Sequence, residues 1–412
     1  RDGRVTGVQT CALPILAEAS PKAGKSVFGE MLRLDFLALL SAVAVFGFSL
    51  GVSYPMLGLA MENMGRSNAF IGLNSTMTAF GILVSSLWLP AVARRLGPGF
   101  VMAGSLLITA ICFLSFGIFY DPDFWLVLRL IMGMTINGLF MLSETWVNMI
   151  ANDKNRGRYI GIYATVLAGS FAAGPVMVPI LGFQGMLPFL VCTTVVLAGL
   201  VPLFMARKVM PQIKHEASEG SVISYLFRVP TLMGAILLLA FVDFAAFSLM
   251  PVYAVRAGVA VEIAPYMLAT LALGNVFLQV PIGWLSDTIN RYTILIICGA
   301  LTMVGALAVP LVIEDSWLIW PLLFFWGGIA YGLLTIAMGI LGTRFSGSAL
   351  VSANAATALA WGLGGIVGPS LGGYAMDLTG PHALMWVVAF GCLVFLIIAI
   401  SRHPGALRGS SS

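Results

Sequence analysis

The chain is short of charge. Of its 412 residues only 38 are Lys, Arg, Asp or Glu, or 9%, against ~25% in soluble domains. A soluble protein of this size could not be coated with so few charges without exposing apolar patches that aggregate. Histidine is also scarce: His215, His382 and His403 lie in loops or the tail and form no ligand cluster. The five cysteines (Cys11, Cys112, Cys192, Cys298, Cys392) make no CxxC pair, so no metal centre and no disulfide framework is expected. Four of them fall in apolar runs, where a thiol behaves as a small hydrophobe. The same composition excludes collagen-like, disordered and nucleic-acid-binding chains. The string Ala19–Ser26 (ASPKAGKS) approaches a phosphate-binding loop, but Ala19 replaces its first glycine and no strand precedes it. No nucleotide or other cofactor is expected.

What the chain has is apolar length, with 59% hydrophobic residues. Runs long enough to cross ~30 Å of hydrocarbon recur throughout. They cover 34–60, 69–90, 100–119, 124–149, 159–181, 185–206, 231–255, 264–285, 292–313, 317–341, 350–373 and 384–401. An all-α membrane protein with twelve transmembrane helices is therefore expected. The longest connection, 207–230, carries Arg207, Lys208, Lys214, His215, Glu216, Glu219 and Arg228. It reads as a cytoplasmic linker between a half at 31–206 and a half at 231–403, with tails at 1–30 and 404–412. Residues Arg1–Ile15 (RDGRVTGVQTCALPI) match nothing downstream and resemble a translated sequencing-adapter read-through. Met31 would then be the natural start.

Orientation follows from the basic residues. With the N-terminus inside, 18 of the 21 Lys and Arg fall in cytoplasmic segments, Arg66 and Arg256 fall outside, and Arg129 falls within a span. Both termini are expected to be cytoplasmic, in the inner membrane of a bacterium. The formal net charge of +4 then reflects anionic lipid headgroups as partners rather than nucleic acid.

An internal repeat is present. Gly174-Pro175 and Gly368-Pro369 are 194 residues apart, as are Gly133/Gly138 and Gly327/Gly332. Pro90 and Gly283 differ by 193, and Pro55 and Pro251 by 196. The offset divides the chain into two pseudo-symmetric six-helix halves.

These features resemble the major facilitator superfamily over about residues 31–403. Gly283-Trp-Leu-Ser-Asp287 with Arg291 resembles its loop motif, while the N-terminal copy has Pro90 and Arg94 at the glycine and aspartate positions. Arg129-Leu-Ile-Met-Gly133 resembles the fourth-helix motif. Gly364-Gly-Ile-Val-Gly368-Pro369-Ser-Leu-Gly372-Gly373 resembles a glycine-proline pattern that the family's antiporters carry on helix 5, and here it is complete on helix 11. Glu144 followed by Asn155-Arg156-Gly157-Arg158 is similar to the YcaD-like branch of bacterial inner-membrane transporters. The resemblance implies a monomeric secondary transporter that binds a small molecule and works by alternating access.

Charged and polar residues inside the spans are the candidates for its chemistry. An intramembrane Arg costs at least ~2.5–3.5 kcal/mol, so Arg129 should meet a cavity or partner, or else snorkel to the headgroups. Asn137, Glu144 and Asn148 share a face of span 4, seven residues being ~700° of helix. Glu144 either binds a proton or solute or pairs with Arg156 or Arg158. Asp243 stands near the middle of span 7. Desolvation penalises its charged form, which suits it to exchange a coupling proton or to make a helix–helix hydrogen bond. Asn275 and Gln279 in span 8 join the expected solute and proton pathway, with Asn74 and Asn354 as further polar groups. Tyr54, Tyr253, Tyr331 and Trp361 could form an aromatic wall or core packing. Gly283, Asp287 and Arg291 form the expected gating loop. Gly174, Pro175, Gly364, Gly368, Pro369 and Gly372 are expected to pack helices closely, to act as hinges, or both.

So few charges in the spans favour a small amphipathic organic solute, coupled to protons, with export preferred. Uptake of a small metabolite or sugar is the alternative, and a non-transporting sensor or scaffold is the alternative of another class. An enzyme is not expected, since no catalytic cluster converges.

Overall fold

The computed structural model describes residues 34–150, 156–206, 222–314, 317–345 and 347–402. The expectations for 1–30, for most of the linker and for 404–412 lie outside them. The described residues form helices α1 (Leu34–Asn63), α2 (Asn68–Leu96), α3 (Pro98–Ile118), α4 (Pro122–Ile150), α5 (Arg156–Leu181), α6 (Leu187–Ala198) and α7 (Leu200–Met205). After the linker come α8 (Val222–Arg228), α9 (Pro230–Arg256), α10 (Ala264–Thr288), α11 (Arg291–Val312), α12 (Ile319–Arg344), α13 (Gly347–Thr379) and α14 (Ala383–Ser401). An all-helical fold suits a lipid solvent, because an α-helix satisfies its backbone N–H and C=O groups within its own segment.

Among the described residues, eleven spans are long and apolar enough to cross a membrane, α6 and α7 counting as one. The remaining long helix, α13, has 33 residues and dilutes its apolar side chains with glycine and alanine. The sixth span, expected to be continuous, is broken at Gly199. Pro202 lacks an N–H, which deprives the carbonyl of Ala198 of its usual partner. Between α2 and α3, Gly97 adopts φ 89°, a conformation that favours glycine, and Pro98 then starts the next helix. Within the stretch expected to be a solvated linker, Val222–Arg228 is helical, and Tyr225 is buried with its ring 5.5 Å from that of Phe345.

Packing reproduces the repeat. A Cβ on Gly174 of α5 would lie on the backbone of Gly51 in α1, and a Cβ on Gly368 of α13 would lie on the carbonyl of Phe241 in α9. Likewise Gly133 of α4 abuts the carbonyl of Thr78 in α2, and Gly327 of α12 abuts that of Leu271 in α10. Each half thus holds the same two helix pairs. The halves meet where α2 packs on α13, α5 on α10 and α1 on α9. Large apolar side chains such as Leu87, Val280 and Leu311 face outward, as lipid-facing residues do.

The packing part of the expectation can be followed at single atoms. Gly364 sits on the carbonyl of Leu237, Gly72 on that of Pro369, and Gly372 against Leu249 and Leu384. In this state these glycines sit at close helix–helix contacts. Gly174→Ala and Gly368→Ala should each destabilise the protein by about 1–3 kcal/mol through overpacking against backbone. Gly104→Ala, which meets nothing within 4 Å, should be neutral or slightly stabilising because alanine favours helix. Thermal unfolding of the purified variants reads the difference, and equal midpoints for all three would refute it.

Candidate functional site

The N-terminal half buries one cation in a bed of polar side chains. Arg129 of α4 is 1% exposed. Its Nε donates to Asn74 Oδ1 and its Nη1 to Ser53 Oγ, each at 3.0 Å. The guanidinium carbon lies 4.3 Å from the ring centroid of Tyr54, a cation–π contact. Snorkelling to the headgroups is thereby excluded. Asn74 and Tyr54, read from the sequence only as generic polar or aromatic residues, prove to be its neighbours.

The C-terminal half presents the acid. Asp243 of α9 is buried, and its carboxylate accepts a hydrogen bond from the Tyr331 hydroxyl of α12. The adjacent Phe244 ring meets Tyr54 edge-on at 5.9 Å and Trp361 of α13 at 6.3 Å. Arg129, Tyr54 and Phe244 therefore form one continuous patch across the boundary between halves, and Asp243 precedes Phe244 on α9. Phe171 of α5 and Phe247 of α9 add a second aromatic contact across it, with centroids 4.4 Å apart.

Other expected pathway residues go elsewhere. Asn137 spends its amide on α2, donating to the Ile82 carbonyl at 3.2 Å, Ser85 Oγ at 2.9 Å and Ser86 Oγ at 3.1 Å. Gln279 donates to the Gly328 carbonyl at 3.3 Å and accepts from the Thr335 hydroxyl, both of α12. Both amides tie helices together. Glu144 is exposed and forms no ion pair among the described residues, Arg158 included. Asn148 is also exposed and donates to the backbone carbonyl of Glu144 at 2.8 Å. The shared face of span 4 thus runs from a buried tie at Asn137 to an open surface at Glu144. Asn275 is half-buried and Asn354 exposed.

The loop motif is assembled. Arg291 pairs with Asp287 at 2.7 Å and donates to the Gly339 carbonyl at 3.2 Å, joining α10, α11 and α12. Gly283 has open space around it, so nothing in the packing demands a glycine there. Pro175 and Pro369 lie inside α5 and α13.

A set of ties between halves was not anticipated. At the end of the bundle where α1 finishes, Arg256 grips Glu62 with two hydrogen bonds of 2.9 Å, the bidentate geometry that suits guanidinium and carboxylate. Beside it Asp377 of α13 caps α2. Its Oδ1 accepts from the Asn68 backbone N–H at 2.9 Å and from Asn68 Nδ2 at 2.8 Å, and its Oδ2 accepts from the Ala69 N–H at 2.8 Å. A carboxylate is well placed at the positive end of a helix dipole. Deeper in, Thr76 and Ser370 share a hydrogen bond of 2.7 Å. A signal was available: Glu62 and Arg256 are 194 residues apart, the repeat offset itself.

With this geometry in place, relatives decide the family. The profile described as Major Facilitator Superfamily matches residues 39–351 and 266–411. The chain belongs to the Major Facilitator Superfamily. The transporter is 30% identical over 362 residues to the uncharacterized MFS-type transporter YfkF of Bacillus subtilis (strain 168), covering 84% of this chain and 90% of that one. Against the uncharacterized MFS-type transporter YcaD of Shigella flexneri it is 25% identical over 383 residues, covering 91% and 96%. This places it in the YcaD-like branch. Its fold is similar to that of the nucleoside transporter NupG, with TM-score 0.72, 14% identity and coverage of 90% and 99%. It is also similar to a bacterial homolog of the human lysosomal transporter Spinster, with TM-score 0.68, 16% identity and coverage of 91% and 96%. The protein is thus a multi-pass membrane protein and a secondary transporter rather than an enzyme.

The ties between halves make a conformational prediction. The double variant Glu62→Gln, Asp377→Asn should separate the halves at that end of the transporter. Spin labels on Asp121→Cys and Glu262→Cys, in the loops before α4 and α10, should show a severalfold larger long-distance population. An unchanged distance distribution would mean that these groups do not hold the halves closed.

Proposed function

We propose that the transporter moves a small amphipathic organic solute by alternating access, that protons drive it, and that export is the preferred direction. The observation that carries this reading is the patch of Arg129, Tyr54 and Phe244, which spans the boundary between halves with the buried Asp243 next to Phe244 on α9. Apolar and aromatic surface there outweighs the polar groups, which suits a solute with a large apolar body. A densely hydroxylated sugar would call for more amide and acidic side chains, and Asn137 and Gln279 are already engaged between helices.

The lysine and arginine count supports cytoplasmic termini, which puts the start of α1 on the cytoplasmic side. The ties at Glu62–Arg256 and Asp377–Asn68 would then close the periplasmic end. Exposed Glu144 and Asn354 lie toward the cytoplasmic end. On this reading the described state is open to the cytoplasm, and solute enters between the halves from that side.

Asp243 is the proposed proton carrier. It is a buried carboxylate whose partner is the neutral phenol of Tyr331. Protonation would release it from the local field, and rocking of the halves would re-expose it on the other side. Glu144, exposed nearer the cytoplasmic end, is placed to pass protons between that side and the interior. The transporter acts as a monomer, because each chain holds both halves of the site.

Proteoliposomes with an imposed pH gradient test the reading, using a panel of fluorescent amphipathic dyes. Wild-type protein should drive dye flux with accompanying proton movement. Asp243→Asn should abolish gradient-driven flux, while Glu144→Gln should slow it by a smaller factor. Wild-type proton-coupled flux in the double variant would sink the assignment.

A further inference from the structure

The N-terminal half holds a buried cation that has no counter-ion among the described residues. Among the described residues no carboxylate lies within ion-pair distance of Arg129, and the acceptors that it does have, Asn74 Oδ1 and Ser53 Oγ, are neutral. An ionised group this deeply buried is normally paired.

The two helices that supply its acceptors, α1 and α2, carry further buried donors in want of an acceptor. Asn74 Nδ2, Tyr54 Oη, Thr78 Oγ1 and Ser49 Oγ are all buried with no hydrogen-bond partner. Their residues are 0–2% exposed. A hydroxyl pair formed by Tyr54 and Thr78 would still leave one O–H without an acceptor. The array is built from three helices in register. Ser49 and Ser53 lie one turn apart on α1, and Asn74 and Thr78 one turn apart on α2. On α4, Gly133 follows Arg129 by one turn, and its missing side chain lets the backbone of Thr78 come close.

One positive charge and a surplus of N–H and O–H groups lack a single thing, a negatively charged acceptor. We propose that this cluster, when the halves part, binds the anionic group of the transported solute, a monovalent organic anion of the carboxylate type. Its apolar body would lie along Tyr54, Phe244 and Trp361. One cation calls for one negative charge. The aromatic surface begins at the ring that the guanidinium covers and continues across the boundary into the other half. A solute held in this way would contact both halves at once. The assignment rests on the transport reading above and names the class of solute for the same site.

The test is thermal unfolding of the purified full-length protein in nanodiscs with benzoate, its neutral amide benzamide, or chloride at matched ionic strength. Benzoate should raise the midpoint saturably, and benzamide should not. Equal shifts with benzoate and benzamide would overturn the proposal. A chloride shift as large as that of benzoate would overturn the assignment to an organic solute. Arg129→Met should remove the benzoate response. Because that variant leaves several groups unpartnered and could fail to fold, Asn74→Asp is the second arm. A carboxylate at that place supplies the missing counter-ion, so this variant should unfold at a higher temperature and bind benzoate at least tenfold more weakly. An unchanged benzoate response in Asn74→Asp would overturn the site. Benzoate binding without any pH-driven flux would overturn the transport reading and leave the site standing. Flux of a neutral amphipathic dye without any benzoate response would do the reverse.

Discussion

Everything in this bundle depends on how closely two helix backbones approach. In a lipid solvent apolar side chains gain nothing by meeting one another, so association relies on van der Waals contact and interhelical hydrogen bonds. Gly174 on Gly51, Gly368 on Phe241, Gly133 on Thr78 and Gly327 on Leu271 bring the axes together where any Cβ would collide. The same two contacts occur in each half at nearly the same spacing. They set the frame in which the few polar groups find one another.

Within that frame the polar groups divide by task. Asn137 and Gln279 fasten α4 to α2 and α12 to α10 at positions the repeat makes similar, and neither has much capacity left for a solute. Arg129 and Asp243 have different surroundings. Each stands in its own half, and Tyr54 and Phe244 join the two regions across the boundary. A rocking motion of the halves must disturb that junction, which is why a solute lodged there can be felt by both. The ties at the far end oppose the same motion. Glu62 and Arg256 lie at equivalent positions of the two repeats, and a two-fold relation brings equivalent positions near its axis face to face. Opposite charges there attract, where identical ones would repel.

Much of this was legible in the residues. The spans emerge from apolar length, and their observed bounds differ from expectation by a few residues where caps such as Ser67 and Asn290 set the start. The pairing of Arg129 with something other than lipid follows from the cost of burying it. The face shared by Asn137 and Glu144 does not keep one environment, for a definite reason. Angular position on a helix says nothing of depth, and seven residues carry the stripe ~10 Å along the axis, from a packed seam to an open surface. The break at Gly199 needed the effect of Pro202 to be weighed against an otherwise continuous apolar run. The Asp377 cap left no local trace, because Asn68 and Asp377 are 309 residues apart and do not occupy equivalent repeat positions.

Taken alone, then, the residues determined the solvent of this protein, its count of crossings, its duplication and which charges would be costly. Those properties depend on composition and periodicity, which are local. Tertiary structure decided which costly charge has a partner. Asp243 has the phenol of Tyr331, Arg256 has Glu62, and Arg129, among the described residues, has neutral acceptors. Charge compensation is a matter of distance between helices far apart in the chain, and those distances exist only once the glycine contacts have closed.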